Sequence, residues 1–213
     1  MENMIVIDDL TKRFGKNTVL NKVSIEFEHS KIHGIIGRNG SGKTVLMKCI
    51  CGLTSITAGT ITVSGKKIGT DCEIIPNAGV IIETPGFLPH LSGLANLKNL
   101  AALTEKIDIN DIRKAINRVG LDPNDKKRVG KYSLGMRQRL GLAQAIMEDP
   151  DLLILDEPMN GLDKDGVTDM RKYLLDLKAQ GKTILIASHS AEDIDVLCDT
   201  VCEIDKGTLM RLR

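Results

Sequence analysis

The hydrophobic positions change their period twice along the chain. From Met4 to Leu10, and again across Val19-Leu20 and Val23 to Phe27, apolar and polar residues alternate as strands do, with a turn at Gly15-Lys16 between them. Lys31 to Ile36 is a short apolar run that reads as a buried strand, and Val45 to Ile50 reads as the opening turns of a helix. Gly59 to Val63 with Ser64-Gly65 is a strand and turn, and Val80 to Ile82 is another short strand. From Leu91 to about Met147 the spacing becomes helical. Leu94, Leu97 and Ala101 mark one helix, and Leu140, Ala143 and Met147 mark another. Between them Ile109, Ile112, Ile116 and Val119 mark a helix that stops at Gly120. Strands return at Leu152–Leu155, Thr183–Ala187 and Thr200–Ile204. This order predicts one α/β domain over residues 1–213, its core formed by residues 1–83 and 149–213, with a helical subdomain inserted over 84–148. No linker rich in Pro, Gly or Ser divides the chain and no segment repeats, so it reads as one unit and not a tandem pair.

Between the strand at Ile36 and the helix at Val45 lies Gly37-Arg38-Asn39-Gly40-Ser41-Gly42-Lys43-Thr44, which spells G-x-x-x-x-G-K-[ST]. Glycines at 37, 40 and 42 permit positive φ and let backbone N–H groups approach phosphate oxygens with no Cβ in the way. The N-terminus of the following helix adds a positive field. Lys43 brings a point charge to the β- and γ-phosphates, and Thr44 a hydroxyl ligand for Mg²⁺, which prefers oxygen. A plain flexible turn would not require both flanking elements.

Asp151 to Pro158 is an all-apolar strand ending in two carboxylates, Asp156 and Glu157. Such a strand suits a parallel sheet buried on both faces, and ligands bind at the carboxyl ends of such strands. Asp156 is expected to hold Mg²⁺ through water, and Glu157 to orient the attacking water in phosphoryl transfer. Ser188-His189-Ser190 follows the next strand, so His189 is expected at the same edge, within reach of the γ-phosphate.

Tyr132-Ser133-Leu134-Gly135-Met136-Arg137-Gln138-Arg139 opens a helix, with Ser133 as its N-cap and a second anion site in the free N–H groups that follow. With these motifs the chain resembles, over essentially its whole length, the nucleotide-binding subunit of an ATP-binding cassette (ABC) transporter. The resemblance implies a P-loop NTPase core with an N-terminal antiparallel β-subdomain and an inserted α-helical subdomain, using ATP and Mg²⁺. It implies head-to-tail dimers, homodimeric or with a related chain, in which Ser133, Leu134, Gly135 and Met136 contact the nucleotide of the partner. It further implies that Asn160, Gly161, Leu162 and Asp163 form the loop crossing that interface, and that Phe14 stacks under adenine.

Two positions depart from the family pattern. Leu134 stands where the first signature glycine is usual, and Glu83 stands where a γ-phosphate-sensing Gln is usual. An ionised carboxylate at 83 can bind Mg²⁺ or water but cannot donate a hydrogen bond. Glu83 with the Tyr-Ser-Leu-Gly-Met signature resembles exporters of the bacitracin and lantibiotic type. The resemblance therefore implies an ATPase subunit peripheral on the cytoplasmic face of the membrane. It would power a membrane-spanning permease that exports a peptide antibiotic or similar amphiphile, with Pro85, Gly86, Phe87, Leu88 and Pro89 as candidate contacts to the permease.

Composition narrows the alternatives. The chain has 213 residues, 42% hydrophobic, and its charge of +1 is scattered apart from Lys126-Lys127-Arg128, which reads as a solvated loop. Aromatics are 2% and Trp is absent, so no base-stacking platform and no nucleic-acid partner are expected. No run reaches the roughly eighteen apolar residues of a membrane span. Met1 to Val6 lacks the basic and apolar regions of a signal peptide. Five cysteines at 49, 51, 72, 198 and 202 match no zinc spacing and read as reduced thiols. A soluble ABC-type ATPase acting on nucleic acid, ribosome or an assembly scaffold is the alternative. Against it stands the lack of a tandem copy, a long coiled-coil insertion or a basic tail. A non-hydrolysing switch is disfavoured by Glu157.

Overall fold

A computed structural model describes residues 3–83 and 85–213. The boundary expected at residue 84 falls on Thr84, and the signal-peptide reading rests partly on Met1 and Glu2; all three lie outside the described residues.

Two sheets share the strands. β1 (Asn3–Phe14) and β2 (Asn17–Glu28) form a long antiparallel hairpin. β4 (Ala58–Val63) pairs with the other edge of β1, and the two-residue β5 (Lys66–Lys67) pairs with β4. This sheet has the order β2-β1-β4-β5. Where the sequence pattern breaks around Asn21 and Lys22, the strand continues: Lys22 takes φ 49° and the ladder carries irregularities beside it. Val19–Phe27 is therefore one bulged strand and not two, because a bulge shifts the alternation without ending the pairing.

The second sheet contains β3 (Ile32–Ile36), β6 (Ala78–Ile81), β7 (Leu152–Asp156), β8 (Thr183–Ala187), β9 (Thr200–Asp205) and β10 (Thr208–Arg211), in the order β10-β9-β3-β8-β7-β6. All its pairings are parallel except β9 with β10. Successive residues of its strands enter opposite cores, as the two-residue period of a strand requires. Leu152 and Ile154 join Leu185, Ile35 and Cys202 in a core shared with the first sheet and α1 (Lys43–Ile50). Leu153 and Leu155 join Ile184 and Ile186 in a core shared with the helices on the other face. Those helices are α2 (Gly93–Ala101), α3 (Ile109–Arg118), α4 (Leu134–Ile146), α5 (Lys164–Ala179) and α6 (Ala191–Leu197).

The helix ends obey local chemistry. Ser92, Ser133, Asp163 and Ser190 each accept an N-cap hydrogen bond, and Asp108 with Asp111 forms a capping box on α3. The Lys126-Lys127-Arg128 segment is exposed, as expected. All five cysteines are free, and burial pushes the thiols of Cys49 up to about 11 and of Cys51 and Cys198 up to about 12. Among the described residues no helix is long and apolar enough to cross a membrane.

Candidate functional site

Parallel pairing brings the carboxyl ends of β3, β7 and β8 to one edge of the sheet. β3 leads into the glycine loop, β7 ends at Asp156, and β8 lies between them, leading into Ser188-His189. The histidine thus enters between the loop and the carboxylates.

The loop has the conformation its glycines permit. Gly37, Gly40 and Gly42 take φ of 148°, 78° and 113°. At Gly37 a Cβ would lie 2.4 Å from the Ile204 carbonyl oxygen, so this position excludes any side chain on sterics as well as on φ. Gly42 caps α1 without a side-chain hydrogen bond, which leaves the first-turn N–H groups to another acceptor. Ser41 Oγ is buried with no hydrogen-bond partner among the described residues. Buried polar atoms are nearly always satisfied, so this hydroxyl marks where an anion's oxygens fit. Lys43 is buried, and its Nζ folds over the loop to the carbonyls of Gly37 at 2.7 Å and Arg38 at 3.2 Å.

Thr44 Oγ1 donates to Asp156 Oδ2 at 2.6 Å. Glu157 follows with φ 51°, uncommon for a non-glycine residue. Four contacts hold it: its N–H donates to the Ala187 carbonyl at 2.9 Å, Asn160 N–H and Gln138 Nε2 donate to its carbonyl at 3.1 and 3.4 Å, and His189 Nδ1 donates to its Oε2 at 2.8 Å. The positive φ turns the Glu157 side chain toward His189 and away from the line of the strand.

A cleft of about 590 Å³ collects Asn39, Gly40, Gly42, Lys43 and Thr44 with Glu83, Leu134, Asp156, Glu157 and Asn160. Val19, Val45, Pro85, Arg137 and Gln138 complete its wall. Of these, Val19 and Val45 carry no chemical signal in the sequence; Arg137 and Gln138 sit in the signature segment, where one face of the amphipathic helix had to meet the cleft. Gly37, Arg38 and His189 border a neighbouring cavity of about 530 Å³. Leu162 lines a third, of about 550 Å³, with Glu157, Asn160 and His189. Phe14 lies outside the cleft wall, exposed at the tip of the hairpin opposite Asn17.

Glu83, φ 62°, faces the cleft but is engaged by Lys48 Nζ at 2.7 Å. Lys48 lies about one turn beyond the loop on α1, a partner with no signal in the motif. Ser133 Oγ accepts from Met136 N–H at 3.1 Å and caps α4. Leu134 packs over Gly161, where an added Cβ would fall 2.5 Å from its Cγ, and Gly135 abuts the Gly161 carbonyl. Signature and Asn160–Asp163 loop therefore touch within one chain. Asp163 caps α5 through Gly166 N–H at 3.0 Å.

A phosphate loop at the end of a parallel strand, facing two carboxylates and a histidine, defines a phosphate-loop nucleoside triphosphatase. Residues 20–160 match the family described as ABC transporter, and the chain belongs to that family, as one of its ATP-hydrolysing subunits. It is 44% identical over 206 residues to an uncharacterized ABC transporter ATP-binding protein of Bacillus subtilis (strain 168), covering 97% of this chain and 94% of that one. It is 42% identical to the bacitracin transport ATP-binding protein of Enterococcus faecalis, covering 99% and 69% of the two chains. To the lantibiotic transport ATP-binding protein of Streptococcus pyogenes it is 37% identical, covering 97% and 89%. The fold superposes with a TM-score of 0.87 on a dimeric ATP-binding cassette in a post-hydrolysis state bound to ADP and Pi, at 18% identity and 99% coverage of both chains.

Proposed function

We propose that this chain powers the export of a peptide antibiotic or a similar amphiphile by docking as a head-to-tail pair on a membrane-spanning permease. The observation that carries the catalytic part is the cleft in which Lys43, Thr44, Asp156 and Glu157 converge, with His189 bonded to Glu157. The kinship with bacitracin and lantibiotic transport proteins supports the cargo class.

In this reading the loop amides, Ser41 Oγ and Lys43 bind the phosphates, and Phe14 carries the adenine. Thr44 and Asp156 would hold Mg²⁺, which neutralises phosphate charge when bound. Their paired oxygens suit a cation that completes its shell with phosphate and water, and among the described residues no cluster of three or more His, Cys, Asp or Glu side chains offers a full protein cage. Glu157 orients the attacking water as general base, and His189 fixes the carboxylate and faces the γ-phosphate. Ser133, Leu134, Gly135 and Met136 close on the partner's nucleotide, and Asn160 to Asp163 cross the interface. Glu83 answers to the nucleotide state, released from or held by Lys48, and passes it to the 84–148 subdomain and to the permease through Pro85 to Pro89. The chain sits on the cytoplasmic face.

The test is affinity purification of tagged Glu157→Gln with ATP from detergent-solubilised membranes, followed by mass spectrometry. Recovery of a polytopic membrane protein with two copies of the chain is the expected result. Recovery of only soluble or nucleic-acid-bound partners would refute the transport reading and leave the ATPase standing.

A further inference from the structure

Lys12 is a charge in an unusual place. It precedes Phe14 by two residues on β1, so both side chains leave the same face of the strand. Lys12 is only 6% exposed, whereas Phe14 is 52% exposed. Burying an ammonium is costly unless it is paired, yet among the described residues no carboxylate lies within ion-pair distance of it. Two groups hold the Nζ instead. It donates to the Ser55 carbonyl at 2.6 Å, and it sits 4.4 Å from the centroid of the Phe14 ring. The charge lies near the C-terminal end of α1, where the helix dipole favours a cation; burial pushes the thiol of Cys49 up there, and Lys12 opposes that shift only in part.

We propose that Lys12 is a positioning residue for the nucleotide base, acting through Phe14: the ammonium grips one face of the ring and leaves the other to stack on adenine. This rests on the reading of Phe14 as the base platform. Two physical effects follow from the geometry. A ring already fixed by a cation has less rotamer freedom to lose when a base stacks on it, so binding costs less. The ammonium also draws π density toward itself, which leaves the outer face a better partner for an electron-rich purine. Because the charge is buried, salt screens it weakly. The bland role would be a tie between β1 and the loop after α1 through Ser55 alone.

Isothermal titration of the whole chain with Mg-ATP and with Mg-tripolyphosphate, which has no base, separates the two. Lys12→Met is expected to raise the Kd for ATP about fivefold and to leave that for tripolyphosphate unchanged. The same substitution is expected to add nothing in a Phe14→Ala background. Lys12→Arg is expected to keep ATP affinity within about twofold, since guanidinium also binds ring faces. Equal losses for both ligands, or a loss that persists without the ring, would overturn the proposal. Lys12→Gln keeps a donor for Ser55 without charge and serves if Lys12→Met does not fold; ATP affinity preserved in Lys12→Gln would equally overturn it. If Phe14→Ala alone leaves ATP affinity intact, the base platform itself is wrong and the Lys12 proposal goes with it.

Discussion

Of the side chains that line the cleft, Glu83 and Glu157 stand on backbone of positive φ, whereas Lys43 and Thr44 open a regular helix. Lys43 is buried and its ammonium is already turned over the phosphate loop. Lys43→Ala removes the ammonium turned over that loop, and the expected result is loss of tight ATP binding in equilibrium titration. Glu157 is different, because its backbone is fixed by Ala187 and Gln138 independently of its charge. Glu157→Gln keeps the shape and the contact to His189 while removing the carboxylate charge. We expect ATP binding to survive and turnover to be lost; wild-type phosphate release from purified Glu157→Gln would refute the assignment. The identities of Gly37 to Thr44, Asp156, Glu157 and His189 were legible in the sequence because phosphate chemistry demands particular residue types at particular spacings. The positive φ of Glu157, the Lys48–Glu83 pair and the Lys12–Phe14 contact were not, since each depends on residues that only the fold makes neighbours.

At the level of elements, the apolar strands of the parallel sheet and the amphipathic helices flanking Gly120 were readable, and the shortest edge strands were not. α3 shows why. Its apolar face, its acidic capping box and its stop at Gly120 are all local signals. Gly120 takes φ 75°, and a Cβ there would meet Arg139 Nη1 at 2.8 Å. Gly120→Ala is therefore expected to cost about 1–2 kcal/mol, read as a lower urea midpoint at unchanged slope. β5 and β10 carry too few residues to show a period, and they exist because a neighbouring edge is available. The contact of Leu134 with Gly161 was equally hidden. It lets the start of α4 and the loop before α5 lean on each other, so a displacement of the helical segment would be felt at the Asn160–Asp163 loop. Leu134→Gly is expected to loosen that loop, seen as faster amide hydrogen exchange at Gly161 and Leu162.

Across the molecule, the central sheet divides two cores, and one buried histidine stitches its margin to the hairpin. His33 is fully buried; Nε2 donates to the Glu28 carbonyl at 2.8 Å, and Nδ1 accepts from Thr200 Oγ1 at 2.7 Å. Both bonds fit a neutral ring, and burial holds its pKa below the usual histidine value, against the pull of Glu28 and Asp199. The unfolded chain binds that proton more readily, so stability is complete above pH of about 6.5 and falls as the pH drops below it. The lowered carboxylates Glu28 and Asp199 add a separate loss only at more acidic pH. Urea unfolding from pH 7.5 to 5 should show this slope in the wild type and not in His33→Gln. Parallel order within the sheet was out of reach of the sequence, because strands that pair across a hundred residues leave no local mark. That order has a consequence for how the chain can change. Strand β7 is both a wall between the cores and a ruler for the carboxylates: its five residues set which side chain faces which core and how far Asp156 stands from the phosphate loop. Deleting one residue from it would exchange its contributions to the two cores and pull Asp156 and Glu157 back by about 3.3 Å. The strand can accept new side chains, but not a new length.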